Sequence, residues 1–279
     1  MTAPRDTDVF RHAPWRHLTP RAIQTARAVP TMLQDEEQKL YFWLTALWAR
    51  DAGAVVDLGC FVGGSTALLA AGAAAAGLRT PIHAYDRFTA EDTVKAKTLY
   101  PAGIAPFDGN DTLPLAQGLL APWADRITLH PGDIEDQSPP DDPVEILVVD
   151  AAKTAGTADA IAQAFFPALL PGRSLVVQQD FLHWRLPWLP VQMALLGACF
   201  TPVARCGPTS MLFLCTHAPD PDSIHAARVA HLTDAELTAQ LSAAEPGLAG
   251  FGASAQIAQM TAAIAANPGE RTSWRLRRP

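Results

Sequence analysis

The sequence predicts an α/β fold: a doubly wound, mostly parallel seven-stranded sheet ending in an antiparallel hairpin, with helical extensions at its N- and C-terminal ends. Three observations carry this expectation. Short apolar runs alternate with helical patterns from Ala54 to Asp180, which marks βαβ units and a parallel sheet. The runs "ILVV" and "SLVV" are apolar on both faces, as in strands covered from two sides. The rhythm then changes to "CFTPVARC" and "TSMLFLCTH", two strand-like runs joined by "GPT", which reads as a hairpin.

The elements follow in order. After a leader containing Pro and Arg, residues 1–32, the apolar positions Leu40, Trp43, Leu44, Leu47 and Trp48 share one helix face. Acidic residues stand near its start and Gly53 just past its end. The first strand is Ala54 to Leu58, followed by a helix from about Ser65 to Ala76 and a second strand, "PIHAYD", ending on Asp86. Residues 87–123 are long for a crossover and contain a loop and the helix "LPLAQGLLAPWA". The third strand is "RITLHPGD", the fourth "VEILVVD", and the fifth closes "PGRSLVVQQD", with the helix "TADAIAQAFFPALL" between the last two. One domain is expected over residues 33–217, and the Ala-rich residues 218–279 read as a helical extension of it.

Composition narrows the function. The net charge of −7 and the scattered basic residues argue against a nucleic-acid surface, which needs clustered Lys and Arg. The one basic cluster, "RTSWRLRRP", reads as a solvated tail. No secretory segment is visible and no apolar run is long enough for a bilayer, so neither a membrane nor a secreted location is expected. The four cysteines lack CxxC or zinc spacing and read as buried thiols in a reducing cytoplasm. Cys60 in particular reads as a small buried filler.

The chemistry is expected at the strand ends, where open parallel sheets bind their ligands. An acidic residue stands at each of the five: Asp57, Asp86, Asp133, Asp150 and Asp180. The first strand runs into Gly59-Cys60-Phe61-Val62-Gly63-Gly64-Ser65. Its glycines permit close backbone approach, and the helix N-terminus beyond offers N–H groups to an anion. Asp86 occupies the place that commonly grips ribose hydroxyls.

In this order, "VVDLGCFVGGST … IHAYD … PGDI … VEILVVDAAK … VVQQDFLHW" followed by the hairpin resembles class I S-adenosylmethionine-dependent methyltransferases, whose sheet is Rossmann-like. Within them it is similar to small-molecule O-methyltransferases of the catechol, caffeoyl-CoA and macrocin type, over roughly Leu33 to His217. Phe61 matches an aromatic that this branch tolerates in the glycine turn. The resemblance implies that Asp57, Gly59, Phe61, Gly63 and Ser65 hold the methionine part of S-adenosyl-L-methionine. It further implies that Asp86 takes the ribose, while Asp133 and Ile134 border the adenine.

Metal-dependent members carry Asp-Ala-Asp-Lys after strand four and Asp-Asn after strand five. Here the chain has Asp150-Ala151-Ala152-Lys153 and Gln179-Asp180. By resemblance Asp150, Gln179 and Asp180 are the candidate ligands of Mg²⁺ or another divalent cation, with one carboxylate replaced by Ala152 and another by Gln179. Lys153 stands where the family keeps a basic residue able to take the acceptor proton, which needs a lowered pKa. His183, on the rim after strand five, is the alternative base. Trp184 and Trp188 read as walls of an acceptor pocket or as core beneath the hairpin. His130 reads as structural, and "FDGND" as an ordinary turn.

The expected function is methyl transfer from S-adenosylmethionine to a small-molecule acceptor, at a hydroxyl oxygen, by a cytoplasmic enzyme with no nucleic-acid or membrane partner. A homo-oligomer is compatible with the sequence. Two other readings stand beside it: a cofactor-binding protein that is non-catalytic or regulatory, and an NAD(P)-dependent oxidoreductase. The missing GxGxxG and the terminal hairpin count against the latter.

Overall fold

The computed structural model describes residues 5–279, so the first four residues of the leader lie outside the described residues. Its sheet has seven strands in the order β3-β2-β1-β4-β5-β7-β6, with β7 antiparallel to both β5 and β6. That order with its closing hairpin is the doubly wound, Rossmann-like α/β sheet that the sequence predicts. Two compact units make up the described residues: Pro14–Leu147, and Val148–Pro279 together with residues 5–13.

In the first unit, three short 3₁₀ turns between Pro14 and Ala28 bury Trp15, Ile23 and Ala26, so this part of the leader is packed. Helix α1 (Asp35–Trp43) begins at a capping box in which the Glu37 carboxylate accepts from the Gln34 backbone N–H at 2.9 Å. It continues as a wide π turn over Leu44–Trp48 and packs on α2 (Gly64–Ala75). Close approach is possible because Gly72 lacks a Cβ, which would lie 2.2 Å from Thr45 Oγ1 and 2.3 Å from Phe42 O.

Strand β1 (Ala54–Leu58) is buried throughout and pairs in parallel with β2 (Ile82–Asp86), which pairs with β3 (Ile127–Pro131). Between β2 and β3 lie α3 (Asp92–Val94), extended by a π turn to Leu99, and α4 (Leu113–Leu120). The buried Lys95 ammonium donates to Gly109 O at 2.9 Å and pairs with Asp92 at 2.7 Å, which pins the intervening loop. "FDGND" is therefore a clasped turn. Strand β4 (Val144–Val149) carries a fully buried Glu145 whose carboxylate accepts from the N–H groups of Arg50 and Ala52, fixing the turn that leads into β1.

In the second unit, α5 (Ala155–Phe165) is capped by the Thr154 hydroxyl, which accepts from Thr157 N–H at 3.0 Å. Strand β5 (Leu175–Gln178) leads to α6 (Trp188–Leu195), a helix that the sequence pattern does not announce. The hairpin β6 (Phe200–Cys206) and β7 (Ser210–Cys215) turns over Gly207-Pro208-Thr209 as expected. The C-terminal residues form α7 (Pro221–Ala226), α8 (Asp234–Leu248) and α9 (Ser254–Ala266), with α8 packed on both α6 and α9. Asp159 of α5, nine-tenths buried, accepts from Val229 N–H, Ala230 N–H and the Gln192 amide at 2.8, 3.0 and 3.2 Å, anchoring this region to the sheet's helices.

The segment "RTSWRLRRP" departs from a solvated tail. Ser273 N–H donates to Lys153 O, Ala155 N–H donates to Arg271 O, both at 3.0 Å, and Thr272 bridges Thr154. Leu276 is buried while Trp274 stays exposed. Backbone pairing holds this segment in place, together with the Arg271 guanidinium, which pairs with Asp234 at 2.7 Å and donates to Leu232 O at 2.8 Å. No helix among the described residues is long and apolar enough to cross a membrane.

Candidate functional site

The first unit gathers the ends of three adjacent strands. After β1 the chain makes a tight turn in which Gly59, Phe61 and Gly63 have φ of +91°, +56° and +97°. A left-handed Phe is costly, by about 1–2 kcal/mol, and persists only where its surroundings hold it. Here the hold is Asp86 at the end of β2, whose carboxylate accepts from Phe61 N–H and from Phe88 N–H, both at 2.8 Å. Phe88, also left-handed at +51°, is buried with Cys60, Ala84 and Ala116. Cys60 is thus a packed filler, its thiol pushed well up by burial and by the charges of Asp57 and Asp86.

Asp86 itself titrates above the usual carboxylate range because burial outweighs the backbone hydrogen bonds that favour its charge. Beside it, Gly132 N–H donates to Asp86 O at 3.0 Å, which brings the β3 end against the β2 end. Asp133 follows, half-exposed and paired with Arg87 at 3.0 Å, with Ile134 next to it. Gly59, Phe61, Asp86, Asp133 and Ile134 are therefore assembled at contiguous strand ends.

Asp57 and Ser65 take a different position from that implied by resemblance. Ser65 Oγ and Thr66 Oγ1 donate to Asp57 Oδ2 at 2.7 and 2.6 Å, and both Asp57 and Ser65 are buried. Together they clamp the first turn of α2 to β1, with the carboxylate favourably placed at a helix N-terminus. Gly63 is filled by packing: a Cβ there would meet the Leu120 side chain at 2.6–3.0 Å.

The second unit holds the other predicted residues. Asp150 follows β4, Asp180 follows β5, and the Lys153 ammonium bridges them, at 2.5 Å to Asp150 Oδ1 and 2.8 Å to Asp180 Oδ2. Asp180 is left-handed at φ +57°, and its carbonyl accepts from His183 N–H at 2.8 Å. Three contacts set the loop that carries Lys153: Trp188 Nε1 donating to Ala152 O at 3.1 Å, Ser273 N–H donating to Lys153 O, and the Thr154–Thr272 bridge. Trp188 is fully buried and belongs to the core, whereas Trp184 is half-buried between His183 and the Arg185 guanidinium.

The electrostatics reverse the expectation for Lys153. Desolvation alone lowers its pKa, but the charges and hydrogen bonds of Asp150 and Asp180 outweigh this and raise it above the usual lysine range. Lys153 is an ammonium, with no lone pair for a proton. His183 is pushed down, first by burial and then by Arg185 and Lys153 against the opposing pull of Asp180. Its Nδ1 accepts from Arg185 N–H at 3.2 Å, so the neutral ring carries its proton on Nε2 and acts as a donor there.

A divalent cation does not fit these side chains as they stand. Mg²⁺ and Ca²⁺ need about six or more oxygen ligands. The Lys153 ammonium already lies between Asp150 and Asp180, and the Gln179 amide oxygen accepts from Ser210 Oγ at 2.9 Å in the buried sheet. Among the described residues no group of three His, Cys, Asp or Glu side chains could hold a metal ion.

Sequence reasoning missed Arg87, Ser210, Arg271 and Ser273. None stands in a motif, and their parts are played by ion pairing or backbone contacts between residues distant in sequence.

No protein-family model matches the chain, and no curated protein matches it. Solved structures similar to it include the O-methyltransferase NovP, with 12% identity, 76% of this chain and 100% of that chain covered, and a TM-score of 0.47. Cofactor-bound Rv0187 from MTB matches with 15% identity, 78% and 99% coverage and a TM-score of 0.47. The SAH-bound methyltransferase PaMTH1 of Podospora anserina matches with 13% identity, 90% and 80% coverage and a TM-score of 0.39. Two of these three, NovP and PaMTH1, are methyltransferases by name.

Proposed function

We propose that the chain transfers a methyl group from S-adenosylmethionine to a hydroxyl oxygen of a small-molecule acceptor. The observation that carries this reading is the assembly of the Gly59–Phe61 turn, Asp86 and Asp133 at three contiguous strand ends. The residues fit the methyl donor. Asp86 Oδ2 accepts from Phe61 N–H and Oδ1 from Phe88 N–H, and the Arg87 N–H also serves the carboxylate, which leaves acceptor capacity for a ribose hydroxyl. Asp133 and Ile134 stand next along the sheet for the adenine, and the Gly59–Phe61 backbone takes the methionine part. Asp57 and Ser65 support that turn from beneath. When bound, the donor supplies an electrophilic methyl: the acceptor oxygen forms the new C–O bond, the C–S bond breaks onto sulfur, and the acceptor proton is released.

On the acceptor side the assigned residues are Asp150, Lys153, Asp180 and His183. The Lys153 ammonium favours a developing oxyanion, and the His183 Nε2–H is a second donor for orientation. The proton leaves to solvent, to which Lys153 and both carboxylates are each about a third exposed.

One observation favours a second reading, a cofactor-binding protein without turnover: Lys153 Nζ is engaged by Asp150 and Asp180 and His183 Nδ1 by Arg185 N–H, so neither turns a lone pair to the acceptor proton. Calorimetry and turnover together separate the readings. S-adenosylhomocysteine is expected to stabilise the fold by about 2.7 kcal/mol at a hundredfold excess over Kd, NADPH to leave it unchanged, and Asp86→Ala to remove the shift. A shift that survives in Asp86→Ala refutes the ribose assignment. Binding without methyl release against a panel of hydroxylated acceptors selects the second reading.

A further inference from the structure

A lysine ammonium has three N–H donors. At Lys153 two are taken, by Asp150 Oδ1 and Asp180 Oδ2, and among the described residues no third acceptor is within hydrogen-bonding distance of Nζ. The two carboxylates come from the ends of different strands, and the cation between them comes from the same loop as Asp150. The arrangement is built. Asp180 is held left-handed with its carbonyl fixed by His183 N–H, and Thr209 Oγ1 lies 3.5 Å from its other carboxylate oxygen. The backbone beneath Lys153 is tied by Trp188 and Ser273.

The geometry points to Lys153 as the resident cation of this site: its ammonium takes the place between Asp150 and Asp180 that a divalent ion would otherwise occupy, and its remaining N–H is the acceptor's anchor. Two consequences follow. A single N–H engages one acceptor oxygen, whereas a metal ion chelates two adjacent ones, so the acceptor needs only one hydroxyl at this point and no vicinal diol. Removing the ammonium leaves two carboxylates facing the same point, which is the beginning of a divalent-cation site. The first consequence rests on the methyl-transfer reading. The second does not, and it is the one tested.

The probe is Mn²⁺ alone, titrated by calorimetry and by the loss of its free electron-spin-resonance signal. The wild-type chain is expected to bind no saturating Mn²⁺ in the low millimolar range. Lys153→Ala is expected to bind about one ion with a Kd on the order of a millimolar or tighter, and Lys153→Ala/Asp150→Asn to lose it. Lys153→Met, which keeps the side-chain stem, serves if Lys153→Ala does not fold. Wild-type binding that disappears in Asp150→Asn would show that the ammonium yields to metal, and would overturn the proposal. So would a folded Lys153 variant, its far-ultraviolet dichroism unchanged, that binds no Mn²⁺. A failure of S-adenosylhomocysteine to bind would sink the methyl-transfer reading and leave the Mn²⁺ result standing.

Discussion

Gly63 and Gly77 both have left-handed backbone, at φ +97° and +69°, but they differ in what surrounds them. A methyl group at Gly77 meets open space, while one at Gly63 lies 2.6 Å from a Leu120 methyl carbon. Gly77→Ala is expected to cost about 1–2 kcal/mol from backbone strain alone. Gly63→Ala adds an overpacking cost of about 1–3 kcal/mol, and the shift it forces on the Gly59–Phe61 turn should weaken S-adenosylhomocysteine binding as well. Denaturant midpoints for the two variants check this; equal losses would mean that Leu120 moves aside freely. At this scale the sequence was an uneven guide. The turn and Asp86 stood out because glycines and strand-end acids leave a pattern. The burial of Asp57 and Ser65 against each other did not, because a motif shows which residues recur and not whether their side chains face a ligand or one another.

At the scale of elements, β2 and β3 carry an aromatic stack. His130 lies on Tyr85 with centroids 4.2 Å apart, and its Nε2 is 3.0 Å from His83 Nδ1. One ring donates and the other accepts, an arrangement that needs at least one of them neutral. Burial lowers both histidine pKa values below the usual 6.5; Asp142 opposes this at His83, and the neighbouring His83 adds to it at His130. Groups with depressed folded pKa values bind protons more readily in the unfolded chain. The stabilisation is therefore complete above pH 6.5 and is lost as pH falls through the folded values. Melting temperatures of wild type should drop on acidification below 6.5, and His130→Phe, which keeps the stack, should remove part of that slope. Parallel curves would refute it.

Most elements were legible for a simple reason: strands buried on both faces are near-continuous apolar runs, and β1, β4 and β5 are of that kind, interrupted only by Asp57, Glu145 and Gln178. Helix α6 escaped because "WLPVQMAL" is apolar nearly all round and has Pro190 in its first turn, so no amphipathic period shows. The docking of residues 271–273 escaped because it uses backbone N–H and C=O groups, which every sequence possesses.

Over the molecule as a whole, a few buried acids do the fastening. Glu145 holds the approach to β1, and Asp159 ties α5 to α6 and to the chain leading into α8. Asp159→Ala leaves two backbone N–H groups and an amide without their acceptor, and is expected to cost about 3 kcal/mol or more. Asp159→Asn retains one oxygen acceptor and should cost about 1–2 kcal/mol. Urea unfolding orders the two; a larger loss in the Asn variant would mean that charge, and not acceptance, is what the site requires.

The pairing of residues 271–273 with the loop around Lys153 also bears on the order in which a growing chain matures. Asp150, Lys153 and Asp180 leave the ribosome early, with β4 and β5, and the sheet can collapse around them. The N–H of Ser273 that closes on Lys153 O emerges only after α7, α8 and α9 have been made. A nascent chain in which the sheet has formed thus has the Lys153 loop tied by Trp188 alone, and gains the second tie, from Ser273, only when synthesis has passed residue 273.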